Sequence, residues 1–342
     1  MPILSLGYLR LDATDLDAWK TFAGDFLGLM PVHTDDDESL RYRMDHYPPR
    51  LVVSPGAESR ATAIGFEVLN ERDLKRVAAA VEDAGIKVTE GSEAEADERR
   101  VTGFVRFDDP GGNPIELFYG PILDHVPVRL PTVSSFVTGD MGMGHVIVTA
   151  EDGKALKDFY IDVLGFYERN TMGGRGRTVW FMSSNDRHHS LGVTSMPGRG
   201  RLIHLMVEAA TFDDVGLALD RRDKYNIPLM NSLGKHTNDE MTSFYVYSPE
   251  LYAIEFGYGG LRVDGEQPVY EITAGAHWGH KFFPPPVSPA QPGRAFAFRS
   301  ATKASASQSI ASRQSSTASR RSTAAPPAST GGRDSASPSA VG

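Results

Sequence analysis

The stretch Met143–Phe166, MGHVIVTAEDGKALKDFYIDVLGF, changes its hydrophobic rhythm halfway. A short apolar run reads as a strand and Glu-Asp-Gly as a turn. Ala155, Leu156, Phe159, Tyr160 and Val163 then fall on one helical face. Leu6–Leu29, LGYLRLDATDLDAWKTFAGDFLGL, repeats that rhythm at a constant offset of 137 residues, with Leu16, Trp19, Phe22, Ala23 and Phe26 as its face. Asp15 and Asp152 stand where N-caps belong, and Leu-Gly stops both helices.

Two further pairs continue the repeat. Ile64–Ile86 matches Leu205–Ile227 as strand then helix. Phe104–Gly120 matches Phe244–Gly259 as hairpins turning at Asp-Pro-Gly-Gly and Ser-Pro-Glu-Leu. The pattern predicts an α+β protein of two tandem domains, each of two βαβββ modules. The expected bounds are 1–123 and 141–283, with a linker over 124–140 and a tail over 284–342. That tail is rich in Ser, Ala and Pro, too poor in large apolar residues for a core, and expected to be disordered.

Composition narrows the chemistry. The 342 residues contain no cysteine, so disulfides, thiolate metal sites and cysteine nucleophiles are excluded, and any metal needs nitrogen and oxygen ligands. No apolar run approaches the roughly 20 residues of a membrane span, and no leader pattern opens the chain, so a cytoplasmic location is expected. The net charge of −9 conceals a split: residues 1–283 carry 28 basic and 43 acidic side chains, the tail 7 and 1. An acidic body argues against nucleic acid as partner.

The repeat also acts as an internal control, since residues needed only for folding should recur in both copies. His145 opens a strand where the first copy has Tyr8, and His204 opens another where it has Ala63. Glu255 matches a retained glutamate, Glu116. Two histidines and one carboxylate on one face can hold a divalent metal and leave positions open for substrate and O2; zinc, manganese or nickel also accept such ligands. One metal is therefore expected, in the second domain. DRHHSLGV, with His188 and His189, and GKHTNDEMTSFYVY, with His236, Asp239 and Tyr245, add acid, base and hydrogen-bonding groups nearby.

At these residues the chain resembles the type I extradiol, or meta-cleaving, catechol dioxygenases of the vicinal oxygen chelate superfamily, notably the 2,3-dihydroxybiphenyl 1,2-dioxygenases. The resemblance covers roughly residues 1–280, through the terminal WGHKF, and its strongest signature is HTNDEMTSFYVYSP followed by AIEFG. SLGYLRLDATDLDAWK, YRMDHYPPRLVV and FVTGDMGMGHV are most similar to the branch that cleaves steroid-derived catechols. The resemblance implies the glyoxalase-like fold, with Fe(II) on His145, His204 and Glu255 and O2 as co-substrate. It makes His189, the second His of HHSL, the distal acid/base. It assigns His236 and Tyr245 to the catechol oxygens and Asp239 to orienting them. It also implies a homo-oligomer. A glyoxalase-type isomerase would share the module and metal but need a further carboxylate as base and not the His189, His236 and Tyr245 set; against a metal-free binding protein of the bleomycin-resistance type stand the retained His145, His204 and Glu255.

Overall fold

The computed structural model describes residues 3–33, 38–174 and 177–286. The opening apolar run forms β1 (Ile3–Ala13). It is joined by β2 (Met30–Val32), β3 (Leu40–Arg43), β4 (Leu51–Pro55), β5 (Arg60–Val68), β6 (Thr89–Glu90), β7 (Val101–Asp108) and β8 (Pro114–Pro121). Their order in one sheet is β2-β3-β4-β1-β5-β8-β7-β6. The second half supplies β9 (His145–Ala150), β10 (Tyr167–Gly174), β11 (Arg177–Ser183), β12 (Leu191–Ser195), β13 (Leu202–Ala209), β14 (Leu229–His236), β15 (Thr242–Tyr247) and β16 (Ala253–Tyr258). These take the same relative order, and β17 (Tyr270–Ile272) and β18 (Ala276–Trp278) extend the two edges. The expected duplication is thus present strand for strand, as two sheet bodies of βαβββ modules.

The helices follow the predicted caps. Asp15 accepts from the Ala18 N–H ahead of α1 (Leu16–Trp19), and Asp152 from the Ala155 N–H ahead of α4 (Gly153–Asp162). Helix α1 widens into a π-helical turn over Lys20–Phe26, and glycines at positive φ, Gly28 and Gly165, end both segments. Leu156, Phe159 and Tyr160 are buried as expected, but Ala155 is exposed. The inner place at that turn belongs to Gly153, where a Cβ would come within 2.7 Å of the Ser195 hydroxyl. Helices α2 (Glu71–Asp83) and α5 (Phe212–Lys224) occupy matching places, whereas α3 (Glu93–Arg99) has no counterpart in the second half.

One continuous apolar core runs through both halves. Phe66 meets Phe166 edge-on, and the Tyr160 hydroxyl donates to Asp109 at 2.9 Å. The segment expected as a linker is tacked down rather than free. Arg43 donates to the carbonyls of Asp124 and Val126, Ser134 N–H to Asp214, and Val137 N–H to the Glu208 carbonyl. No helix among the described residues is long and apolar enough to cross a membrane. The tail expected to be disordered lies, beyond residue 286, outside the described residues.

Candidate active site

Strand alternation builds the site. Along β9, Val146 and Val148 enter the core, so His145 faces the other way. Antiparallel pairing sets His145 opposite Met206, and parallel pairing sets Met206 beside Glu255. His204, two residues before Met206, shares that face and lies in the third position of β13. His145 Nε2 is 3.1 Å from His204 Nε2, and Glu255 Oε2 is 3.5 and 3.2 Å from these two nitrogens. Three ligands held about 2.1 Å from one ion stand roughly 3.0–3.4 Å apart, so the spacing suits a single cation.

The electrostatics agree with that fit. Burial pushes the His145 imidazole down to about 3, so it is neutral and offers a lone pair. Burial works against ionisation of Glu255, yet hydrogen bonds from His145, His204 and His236 hold its carboxyl well below the usual range. A second group, His145 with His189 and Asp239, also clusters. It is the poorer seat, because His189 Nδ1 already faces His188 Nδ1 at 3.0 Å and Asp239 stands 3.8 Å away.

The other expected residues gather around the same cup. The His189 ring lies 3.9 Å from that of His145 and meets Phe181 edge-on. His236 and Tyr245 flank the opposite side, with His236 Nε2 2.7 Å from the Tyr245 hydroxyl and 3.4 Å from Glu255 Oε1. His236 Nδ1 donates to the Gly275 carbonyl at 2.8 Å, which fixes the ring and aims Nε2 inward. Burial would lower His236, but the Glu255 carboxylate outweighs it and lifts the imidazole to about 9. Burial raises Asp239 to about 6 despite the nearby His236. Asp239 accepts from the Met241 N–H and makes no direct bond to His236 or Tyr245 among the described residues.

Ser243, two residues before Tyr245 on β15, donates its hydroxyl to Glu255 Oε1. His280 stacks on His236, with ring centroids 4.1 Å apart. Gly279 and His280 both have positive φ, and a Cβ at Gly279 would fall 2.1 Å from the Leu233 carbonyl oxygen. Sequence reasoning assigned neither side chain a role, although Ser243 lies in HTNDEMTSFYVYSP and His280 in WGHKF.

A cleft of about 1790 Å³ opens onto this cup. Ile147, Val179 and Phe181, with Met172 and Ile203 packed against them, make an apolar wall, and residues 57–62 of the first half line the cleft farther out.

The first half shows what the same cup does without histidines. Tyr8 lies opposite Gly65, and Gly65 beside Glu116, the register of His145, Met206 and Glu255. The Tyr8 hydroxyl donates to Glu116 at 2.5 Å, and Arg99 from α3 makes a two-pronged contact at 2.8 and 2.7 Å. A guanidinium therefore supplies the positive charge that Glu116 needs, and the phenol takes the imidazole's place. Both potential metal-binding groups among the described residues lie in the second half.

Comparisons with known proteins point the same way. A family model described as dihydroxybiphenyl dioxygenase BphC D1 matches residues 6–56. Another, the glyoxalase/bleomycin resistance protein/dioxygenase superfamily, matches residues 142–256. The chain is 40% identical over 294 residues to an iron-dependent extradiol dioxygenase of Rhodococcus jostii, covering 82% of this chain and 98% of that one. It is 37% identical to a biphenyl-2,3-diol 1,2-dioxygenase of Paraburkholderia xenovorans, covering 82% and 96%. The crystal structure of BphC, a halotolerant catechol dioxygenase, superposes with a TM-score of 0.80 at 33% identity, covering 82% and 95%.

Proposed function

The chain belongs to the extradiol ring-cleaving dioxygenases, and from that premise we propose that it opens an aryl-substituted or polycyclic catechol beside its two hydroxyls, using Fe(II) on His145, His204 and Glu255. The ring C–C bond next to the diol breaks, and both atoms of O2 end in the product. The observation that carries this reading is the convergence of three ligand atoms within 3.5 Å, flanked by His189 on one side and by His236 and Tyr245 on the other.

When bound, ferrous iron supplies a Lewis-acid seat for the catechol oxygens and passes electron density to O2. The chain's own groups manage protons and orientation. Tyr245 holds its proton firmly, because burial and then Glu255 raise its hydroxyl well above the ordinary value, so it serves as a hydrogen-bond donor to a substrate oxygen. His236 Nε2 lies beside that hydroxyl, and its Nδ1 anchor keeps it there. With Nδ1 committed to the Gly275 carbonyl, Nε2 is the ring position at which His236 would exchange a proton with a substrate hydroxyl. His189 is buried between His145, His188 and Phe181. Burial, then His145 and His188, keep it well below its ordinary value, so it enters the reaction neutral.

The test is anaerobic reconstitution of the full-length chain with Fe(II), followed by oxygen uptake. Uptake matched by a yellow ring-opened product is expected, and uptake without that product would sink the reading. The apolar wall implies a preference as well. Burying one further aromatic ring is worth about 2 kcal/mol, so kcat/KM for 2,3-dihydroxybiphenyl should exceed that for catechol by about 10–100-fold. A steroid-derived catechol belongs in the same series, because the cleft extends beyond the wall. Tyr245→Phe should retain iron while losing about tenfold in kcat/KM, the cost of one hydrogen bond to a charged oxygen. Loss of iron in that variant would instead make Tyr245 part of the metal seat.

A further inference from the structure

His189 has a neighbour that this chemistry does not use. His188 is 3% exposed, and both of its ring nitrogens are engaged. Its Nε2 lies 3.1 Å from Asn170 Nδ2, and its Nδ1 lies 3.0 Å from His189 Nδ1. Asn170 sits on β10 with no exposure at all.

The direction of these bonds follows from donor bookkeeping. An amide nitrogen only donates, so His188 Nε2 accepts and the His188 proton resides on Nδ1. That N–H points at His189 Nδ1, which must then be the lone-pair nitrogen, and the His189 proton moves to Nε2. Turning the Asn170 amide over would reverse the chain, but it would strand both amide N–H groups inside the protein. As placed, the amide leaves its oxygen without a partner. Buried N–H groups go unpaired more rarely than carbonyl oxygens. The competing acceptor among the described residues, Asp239 Oδ2, is 3.8 Å from His189 Nδ1 and too far for a hydrogen bond. His189 Nε2 makes no hydrogen bond among the described residues, and the ring lines the main cleft. Burial also holds His188 down at about 4, consistent with one shared proton between the two facing nitrogens rather than two.

We propose that His188, backed by Asn170, is a positioning residue that holds His189 in the tautomer with its proton on Nε2, so that an N–H donor faces the reacting oxygen. The assignment deepens the proposed function and rests on it. Orienting partners of this kind typically matter by about 10–100-fold.

The test uses the full-length chain with 15N-labelled histidine, loaded with Zn(II) as a diamagnetic ion, the His189 signals being identified by their loss in His189→Gln. Wild-type His189 should show an unprotonated Nδ1 and a protonated Nε2. His188→Phe keeps a ring in the space but removes the donor. Its His189 spectrum should become a mixture of tautomers, and kcat of the Fe(II)-loaded variant with 2,3-dihydroxybiphenyl should fall by about 10–100-fold, with KM within about twofold. His188→Asn, whose amide stands near the place of Nδ1, should restore both. A wild-type His189 protonated on Nδ1 overturns the proposal, and that reading does not depend on His188→Phe folding. So does a folded His188→Phe with the tautomer and kcat unchanged. If the wild-type chain cleaves no catechol, the proposed function fails, while the spectrum still decides the tautomer.

Discussion

Glu255→Gln is expected to remove iron and lower ring cleavage by at least about 10³-fold, because the lost Lewis-acid contribution amounts to several kcal/mol. The substitution is chosen to spare the fold. A glutamine oxygen still accepts from Ser243, and its amide still fills the space before His145 and His204. Neutralising the carboxylate takes away the negative charge that touches both ligand histidines and would offset a divalent cation in this buried cup. Iron per chain, measured after anaerobic reconstitution and desalting, should drop from about one to near zero, with the thermal midpoint of the metal-free protein little changed. A variant keeping its iron and more than a tenth of its activity would mean that the metal sits elsewhere. The wild-type ratio is itself informative. A value near two would require a second iron, either on His189 and Asp239 or in the first-half cup, where Arg99 already occupies the carboxylate.

Arg99→Met should destabilise the protein by about 3–5 kcal/mol, the usual cost of removing one partner of a buried ion pair. Arg99 and Glu116 are 10% and 5% exposed, and Glu116 has no other cation as close. The Tyr8 hydroxyl cannot replace the lost cation: burial, and then Glu116, keep its proton on, so it offers Glu116 a hydrogen bond but no positive charge. Pairing Arg99→Met with Glu116→Gln removes both charges and should recover most of the loss. Denaturant midpoints of the two variants decide the matter. A loss below about 1 kcal/mol in the single variant would show that water or a shifted side chain serves Glu116 instead. Iron content should be unchanged throughout, since the two cups share no residue.

Much of this was legible in the chain because the repeat supplies its own control. Short apolar runs in HVIVTA and LIHLMVEA mark strands, and the substitution of His145 for Tyr8 stands out once the copies are aligned. The duplication of the modules and the caps at Asp15 and Asp152 followed from the same patterns. The helical face was legible only in part, as Ala155 shows, because the sequence does not say which side of a first turn a small residue will take.

What the sequence determined by itself was the fold, its duplication and the three residues on one face, since alternation and repeats are local properties of the chain. Tertiary structure alone decided the rest. Register across β9, β13 and β16 brings together atoms 51 to 110 residues apart. The inserted helix α3 delivers Arg99 to Glu116, although nothing in the repeat marks that arginine. The Gly279–His280 turn presses an imidazole onto His236, and β10 sets Asn170 behind His188. Hydrogen-bond direction and charge compensation depend on which groups meet, and those meetings come from strand pairing rather than from any short stretch of sequence.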